Sequence, residues 1–437
     1  MGRRKIMNTT VEVFLWNKRI GILHQELNES YASFEYDKEF LNSNIEIFPL
    51  KMKLSENVYQ FPLLVDAPFY GLPGLVSDSL PDKFGNELIE NWLAVQGKSI
   101  KEFTAIDRLC YIGNRGMGAL EYKPATNDIK DSSEAINIKK MVEFASDILN
   151  QRKSIILNAD DKLTYSQLIQ VGTSAGGARA KALIAWNEKT NEVRSGQILL
   201  NSDFDYWIMK FDNVSKNGDY GLEDDSQYTL VEYAYYLMAK DAGINMNECR
   251  IYKDGKSNHF MAKRFDRVDG RKIHMLSLGA MTHINYNNLG EYSYEYASQC
   301  MKQIGLTAKE IQQFYRRMVF NVLAVNQDDH VKNTSFLMDR SGKWSLSPAY
   351  DITFSYNPNN KWLRRHQMSI NNKLDNITNN DLLEAGKNME IKKSTCNKII
   401  EEVKKVVANF ETYALKAGVN NKRTQEIRKI LDKAHQN

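Results

Sequence analysis

Cysteine is scarce in this 437-residue chain. Its four copies, Cys110, Cys249, Cys300 and Cys396, lie far apart and never form C-x-x-C. That spacing argues against a disulfide framework or a zinc site and for reduced thiols in a cytoplasmic protein. Long apolar runs are missing too: none approaches the ~20 residues needed to cross a bilayer, so no membrane partner is expected. The basic start, Met1-Gly2-Arg3-Arg4-Lys5-Ile6-Met7, leads into polar sequence rather than a signal-peptide core. A strong charge of one sign is also absent. The net charge is +4, and residues 381–437 hold 12 Lys/Arg against 8 Asp/Glu, which reads as a solvated helical face more than a DNA-binding arm. There is no internal repeat and no low-complexity tract. What is present, 42% hydrophobic and 26% charged residues, fits a soluble globular protein of two or three domains or one large two-lobed body.

The first part reads as strands and turns. Val11-Glu12-Val13-Phe14-Leu15-Trp16 runs into the polar Asn17-Lys18-Arg19 and then Ile20-Gly21-Ile22-Leu23, which predicts a hairpin. Residues 31–36 alternate and predict another strand. Behind Leu80-Pro81-Asp82, the positions Phe84, Leu88, Ile89 and Trp92 recur at helical spacing. The polar stretch 125–137 is the linker candidate, and a strand-like segment is expected after it, ending in a Gly-rich turn near 172–177. Val231 to Ala242 predicts a helix stopped by Gly243. Beyond about residue 290 the chain reads as mostly helical. There Ile399, Ile400, Val403, Val406, Val407, Phe410 and Ala414 mark one amphipathic helix.

The chemistry concentrates in Asn326-Gln327-Asp328-Asp329-His330-Val331-Lys332-Asn333 and in Ser347-Pro348-Ala349-Tyr350-Asp351-Ile352. An Asp, an Asn five residues on, and a second Asp beyond a short hydrophobic hairpin form the grouping that phosphoryl transfer of the protein-kinase type uses. Asp328 is the candidate base for an attacking hydroxyl, and Asn333 and Asp351 are candidate magnesium ligands. Read alone, Asp328 and Asp329 are also consistent with loop carboxylates in Asx turns. His330 could ligate a metal, but a role in holding the loop in shape is preferred. The other histidines, His24, His259, His274, His283, His366 and His435, show no ligand-like spacing.

Two earlier segments fit the same chemistry. In Gly172-Thr173-Ser174-Ala175-Gly176-Gly177-Ala178-Arg179-Ala180-Lys181, small residues let backbone N–H groups approach phosphates, and Arg179 and Lys181 add charge. The pattern is neither a Walker loop nor G-x-G-x-x-G, so a tight β turn is the alternative. Thr173 and Ser174 are candidate phosphoacceptors. Tyr206-Trp207-Ile208-Met209-Lys210-Phe211 predicts a strand whose one lysine either points inward to nucleotide phosphates or sits exposed on an edge. Glu232 is a candidate partner for it. His259 to Arg267 sits where a kinase hinge contacts adenine through backbone groups.

Together these segments resemble the HipA family, bacterial serine/threonine kinase toxins of type II toxin–antitoxin modules. The resemblance covers nearly the whole chain. It rests on Ile112-Gly113 with Gly116-Met117-Gly118-Ala119-Leu120, on Ser174 to Lys181, on Arg264-Phe265-Asp266-Arg267, and on the D-x-H-x-K-N and x-P-x-Y-D-I motifs at 328–333 and 347–352. It implies an α+β, two-lobed protein-kinase-like (HipA) fold. The expected domains are a β-rich N-terminal subdomain (1–135), an N-lobe with phosphate loop and hinge (136–270), and a helical C-lobe with the catalytic loop (271–437).

By resemblance, Asp328 is the catalytic base, and Asn333 and Asp351 bind magnesium. Gly176, Gly177, Ala178, Arg179, Ala180, Lys181 and Lys210 bind ATP phosphates, with His330, Lys332 and Tyr350 nearby. Lys263, Arg264 and Phe265 meet the adenine. Ser174 occupies the family's autophosphorylation position, whose modification ejects the loop and silences the kinase. The implied partners are a HipB-like helix-turn-helix antitoxin, operator DNA reached mainly through it, and an aminoacyl-tRNA synthetase as protein substrate. The loop departs from the best-known member, reading G-G-A-R-A-K for A-G-A-Q-E-K, and Lys263 replaces Glu. Two competing readings are a catalytically silent nucleotide-binding corepressor and a metal-dependent phosphohydrolase using Asp328, Asp329 and His330.

Overall fold

The computed structural model describes residues 9–95, 97–100, 103–125, 134–149, 159–172, 179–212, 214 and 227–434. The chain divides into two units. The first comprises 1–226, 253–276 and 339–342, and the second 227–252, 277–338 and 343–437.

The first unit begins with a five-stranded sheet of order β4-β3-β2-β1-β5, made of β1 (Thr10–Leu15), β2 (Lys18–His24), β3 (Ser33–Tyr36), β4 (Tyr59–Gln60) and β5 (Leu120–Lys123). Val11, Val13 and Leu15 point to one buried face, as period-two alternation requires. The predicted β1–β2 hairpin turns on Trp16 and Asn17, both at positive φ (49° and 67°), the backbone hand that two-residue hairpin turns favour. The helix expected after Asp82 runs Lys83–Val95. Another, Ala105–Ile112, starts in a capping box between Thr104 and Asp107.

A second antiparallel sheet has the order β7-β6-β8-β10-β9. Its strands are β6 (Lys181–Asn187), β7 (Glu192–Ser195), β8 (Asp205–Lys210), β9 (Cys249–Asp254) and β10 (Ser257–Lys263). The chain passes between the two units within β9. The strand-like segment expected before the Gly-rich turn is instead two helices, Ile138–Leu149 and Ala159–Gly172. Ile138, Met141, Ala145 and Ile148 are all buried, at intervals of three, four and three, so the helical period governs here. Most of the expected linker (126–133) and the loop residues 173–178, including Ser174, Gly176, Gly177 and Ala178, lie outside the described residues. Gly172 closes the second of these helices against Leu88, and an added Cβ would lie 2.6 Å from the Leu88 side chain.

The second unit is mostly helical, as expected. Helix Tyr228–Asp241 ends at Ala242, followed by Gly243 at φ 76°. Its Tyr235 is fully buried, stands edge-on to Phe320 and Phe410, and donates to the Ala324 carbonyl at 2.6 Å. Helix Ala308–Leu323 starts in a capping box between Thr307 and Glu310. The hairpin Ser335–Met338 with Trp344–Leu346 is present as predicted. The single helix expected across 399–414 is two, Lys393–Val407 and Phe410–Ala417. The break falls at Asn409, whose side-chain amide donates to the Lys405 carbonyl at 2.8 Å, an interaction by which Asn competes with the helix ladder. Phe410 and Ala414 are both fully buried beyond the break. Among the described residues no helix is long and apolar enough to cross a membrane.

Candidate active site

In the second unit, helix Ala308–Leu323 delivers the chain into a tight loop. Val325 sits at φ 53°, a costly position for a β-branched residue and a mark of over-determined local structure. It is held there by pairing with the strand-like residue Ser355: Ser355 N–H donates to Val325 O at 3.2 Å, and Gln327 N–H donates to Ser355 O at 3.0 Å. The loop then presents two adjacent carboxylates in different settings. The Asp328 side chain is 26% exposed, whereas that of Asp329 is fully buried.

Asp329 is the loop's internal anchor. It accepts from Tyr294 Oη at 2.9 Å and from the Gln367 N–H at 2.8 Å, and it contacts His366 Nδ1 at 2.8 Å. Burial alone would raise its carboxyl. The neighbouring His366 and these hydrogen bonds outweigh that and hold it below its ordinary value. Tyr294 in turn accepts from Asn321, whose amide oxygen accepts from Asn326. The pattern suits a buried carboxylate with both oxygens engaged.

Asp328 faces outward and accepts from Gln367 Nε2 at 2.6 Å. Asn333 lies in the 3-10 turn Val331–Asn333 and donates its Nδ2 to the Asp328 carbonyl at 2.8 Å. That bond uses the amide N–H and not the amide oxygen, which keeps its capacity as an acceptor or ligand. His330 Nε2 is 3.8 Å from the Asp328 carboxylate, and its ring lies against Tyr286 at 5.4 Å. Lys332 Nζ lies over the same Tyr286 ring.

Asp351 arrives from the hairpin. Tyr350 fixes the approach: its hydroxyl donates to Lys332 O at 2.7 Å and contacts Ser335 Oγ. Asp351 itself has φ 52°, a left-handed conformation that Asp tolerates better than most residues. Asn333, Tyr350 and Asp351 line one pocket together with Arg317 and Asn326. Arg317 is buried and donates to the Ser347 carbonyl, at the start of the segment that carries Asp351. Burial lowers its pKa to about 10. An amide oxygen and a carboxylate are the hard donors a magnesium ion accepts, with water and phosphate oxygens completing its shell. Among the described residues no group of three or more His, Cys, Asp or Glu side chains could hold a metal ion.

In the first unit, Lys210 ends β8, which lies between β6 and β10, so the edge-strand alternative does not apply. Its Cα partners are Lys181 on one side and Phe260 on the other. Both lysines are buried, at 7% and 5% exposure. Like charges opposite each other across a strand pair are unfavourable unless other groups engage them. Ala180 is buried and accepts from the Phe211 N–H, which fixes the base of the loop carrying Arg179.

The R-F-D-R motif is internal. Asp266 is fully buried and receives Arg264 (2.9 and 2.8 Å), Arg267 (2.8 Å) and the Gly118 N–H (2.8 Å). Arg267 also donates to the Gly116 and Gly118 carbonyls. Gly118 is at φ 72°, and an added Cβ would lie 2.9 Å from the Met275 nitrogen. Burial would raise the Asp266 carboxyl, but the two arginines hold it far below its ordinary range. Arg267 is pushed down to about 10, first by burial and then by Arg264. The Arg264 guanidinium and its N–H, the latter bonded to Tyr206 O at 2.8 Å, are thus both engaged. Lys263 pairs with Asp205 at 2.7 Å and stays partly exposed. Phe265 is half-buried, and Glu232 is buried on helix Tyr228–Asp241.

The sequence reading missed Tyr294, Arg317, His366 and Gln367. Only Arg317 left a signal, as a charged residue within the apolar stripe of a helical pattern. No spacing rule links 366–367 to 328–329.

Two family matches together cover most of the chain, and the boundary between them falls inside the first unit. The HipA N-terminal domain family matches residues 11–123, and the HipA-like C-terminal domain family matches residues 173–410. The chain belongs to the HipA family. A solved structure titled as the Shewanella oneidensis toxin–antitoxin complex of HipA, HipB and operator DNA is similar over 97% of this chain and 95% of that one, with TM-score 0.65 and 16% identity. That likeness supports the HipA fold. A Haemophilus influenzae protein named "Putative kinase" is 28% identical over 160 residues, which span 32% of this chain and 47% of that relative.

Proposed function

We propose that this protein is the toxin of a toxin–antitoxin pair, acting as an ATP- and magnesium-dependent serine/threonine protein kinase. The observation that carries the reading is the Asn333 amide. By donating to the Asp328 carbonyl, it ties the candidate base to the candidate ligand and leaves its oxygen for a cation. Asp328 accepts the proton of the substrate hydroxyl, with Gln367 and His330 limiting its orientation. Asn333 and Asp351 hold magnesium, which when bound neutralises charge on the nucleotide phosphates. Lys181, Lys210 and the loop 176–181 bind those phosphates. Backbone groups of 263–265 meet the adenine, and Ser174 is the autophosphorylation position.

The same proposal assigns a HipB-like antitoxin as partner, operator DNA reached mainly through it, and a translation factor such as an aminoacyl-tRNA synthetase as substrate. The HipA–HipB–operator content of the similar structure supports the first two.

Incubating the purified protein with radiolabelled magnesium–ATP and a cell lysate, beside Asp328→Ala, tests the reading. Label transferred to a lysate protein by wild type alone is the expected result. Nucleotide binding with no transfer would favour the silent corepressor instead.

A further inference from the structure

The segment after Asp351 differs from the rest of the chain in charge. Residues 352–374 contain Lys361, Arg364, Arg365 and Lys373 and no Asp or Glu, while acidic residues number 54 in the whole sequence. Lys373 is neutralised by Asp381 at 2.9 Å. The other three cations have no carboxylate partner among the described residues. Lys361 and Arg364 are exposed. The Lys361 ammonium rests 4.5 Å from the centre of the Trp362 ring. Arg365 is half-buried, with its Nε out of contact with water and without an acceptor.

These cations are fixed relative to the candidate base. His366 and Gln367, the next two residues, hold Asp329 and Asp328 through the three contacts already described. Gln367 O accepts from Gly290 N–H, and His366 N–H donates to Leu374 O. On the other side, Asn357 N–H donates to Leu363 O at 2.9 Å, closing 357–363 into a small loop that carries Lys361. Arg364 lies three residues from Gln367, at most about 11 Å of chain. A residue two to four positions from a hydroxyl held at Asp328 reaches that distance in an extended peptide.

We propose that Lys361, Arg364 and Arg365 form a docking strip for an acidic substrate segment, so that the phosphorylated Ser or Thr lies among Asp and Glu residues. The inference rests on the kinase reading and adds the substrate class. An uncompensated strip beside the acceptor site attracts carboxylates and repels basic segments. Each such exposed pair is weak alone, and three together amount to about a tenfold effect.

The test uses the full-length protein and three synthetic peptides of equal length, each with one Ser flanked by Glu, Ala or Lys. Transfer from labelled magnesium–ATP is measured for each. Binding of Ser→Ala versions is followed separately by fluorescence anisotropy, which needs no catalysis. The Glu peptide is expected to show a KM about tenfold below the Ala peptide, with the Lys peptide poorest and the difference shrinking at high salt. Lys361→Glu with Arg364→Glu should abolish or invert that order. The milder pair Lys361→Ala with Arg364→Ala should narrow it, and Lys398→Glu, at an exposed position of helix Lys393–Val407 outside the strip, should preserve it.

Equal KM values for the three peptides, or a preference for Lys, would overturn the strip while leaving the kinase intact. Binding of the Glu peptide with no transfer to any peptide would uphold the strip and sink the kinase reading. Tight binding of a single-stranded oligonucleotide, with no binding of the Glu peptide, would reassign the strip to nucleic acid and overturn the proposal.

Discussion

Asp266 and Asp329 are both buried carboxylates inside sequence motifs, and they are used differently. Asp266 in the first unit sits between two arginines and a glycine N–H, with all partners internal. Its motif joins the 116–118 turn to the end of β10 and presents little outward. Asp329 in the second unit is held by a histidine, a tyrosine and one backbone N–H. Its immediate neighbour, Asp328, stays partly open. A charged motif can therefore be a fastener throughout or anchor a loop that leaves a neighbouring carboxylate partly open.

Removing the fastener has the largest expected effect. Asp266→Ala leaves two buried guanidinium groups without an anion and Gly118 N–H without an acceptor, a change that costs about 3–5 kcal/mol. Chemical denaturation should show a large loss of stability or no cooperative folding at all. A loss below about 1 kcal/mol would mean that water replaces the carboxylate and the cluster is not dry. The corresponding change in the loop should separate activity from stability. Asp328→Asn keeps an oxygen for Gln367 and should leave the denaturation midpoint nearly unchanged, while phosphoryl transfer falls by about 10²–10⁴-fold. If the two effects appeared together, Asp328 would belong with Asp266 as a fastener.

How much of this was legible in the sequence follows from the same contrast. The hairpin at Trp16-Asn17, the helix after Asp82, the Gly243 stop and the Ser335–Leu346 hairpin were readable because local chemistry decides them. The helix at 138–149, where a strand was expected, does carry a local signal in the three-four spacing of Ile138, Met141, Ala145 and Ile148, and that spacing does not extend to the helix at 159–172. The break at Asn409 was hidden because the apolar stripe continues on both sides of it. In the site, the spacing of Asp328, Asn333 and Asp351 was visible, as such motifs are short and local. The partners that aim them, Tyr294, His366 and Gln367, come from elsewhere in the chain and only folding brings them in. The role of Arg264 was legible as a motif but not as a buried pair, because sequence order says nothing about which side of a strand end is dry.

Acid should sharpen the comparison at Asp329. Its folded carboxyl lies below the ordinary value, so its contribution to stability is complete above about pH 4 and is lost as pH falls through the lowered value. Asp329→Asn should therefore be less stable than wild type at neutral pH by about 1.5–3 kcal/mol, the range for hydrogen bonds to a charged group. The gap should close as pH falls through the lowered value. Melting temperatures of the two proteins from neutral pH down to well below the ordinary carboxylate range check this, and curves that stay parallel throughout would mean the carboxylate is not what His366 and Gln367 hold.

The smallest effect is expected one residue from the largest cluster. Lys263 precedes Arg264, yet its ammonium pairs with an Asp205 that is 56% exposed, and it is itself 35% exposed. Such a pair contributes under about 1 kcal/mol, because water and salt screen it and two long side chains lose freedom to make it. Lys263→Ala should thus cost little stability, whereas Arg264→Ala removes two charge-assisted hydrogen bonds from Asp266, leaves it Arg267 and the Gly118 N–H, and should cost more than Lys263→Ala but less than Asp266→Ala. The same variant bears on the hinge. If adenine is met through backbone groups of 263–265, nucleotide affinity measured by calorimetry should be unchanged in Lys263→Ala. A tenfold loss of affinity, about 1.4 kcal/mol, with stability intact would show that the Lys263 side chain itself touches the nucleotide, and that the boundary between fastener and site runs between two consecutive residues.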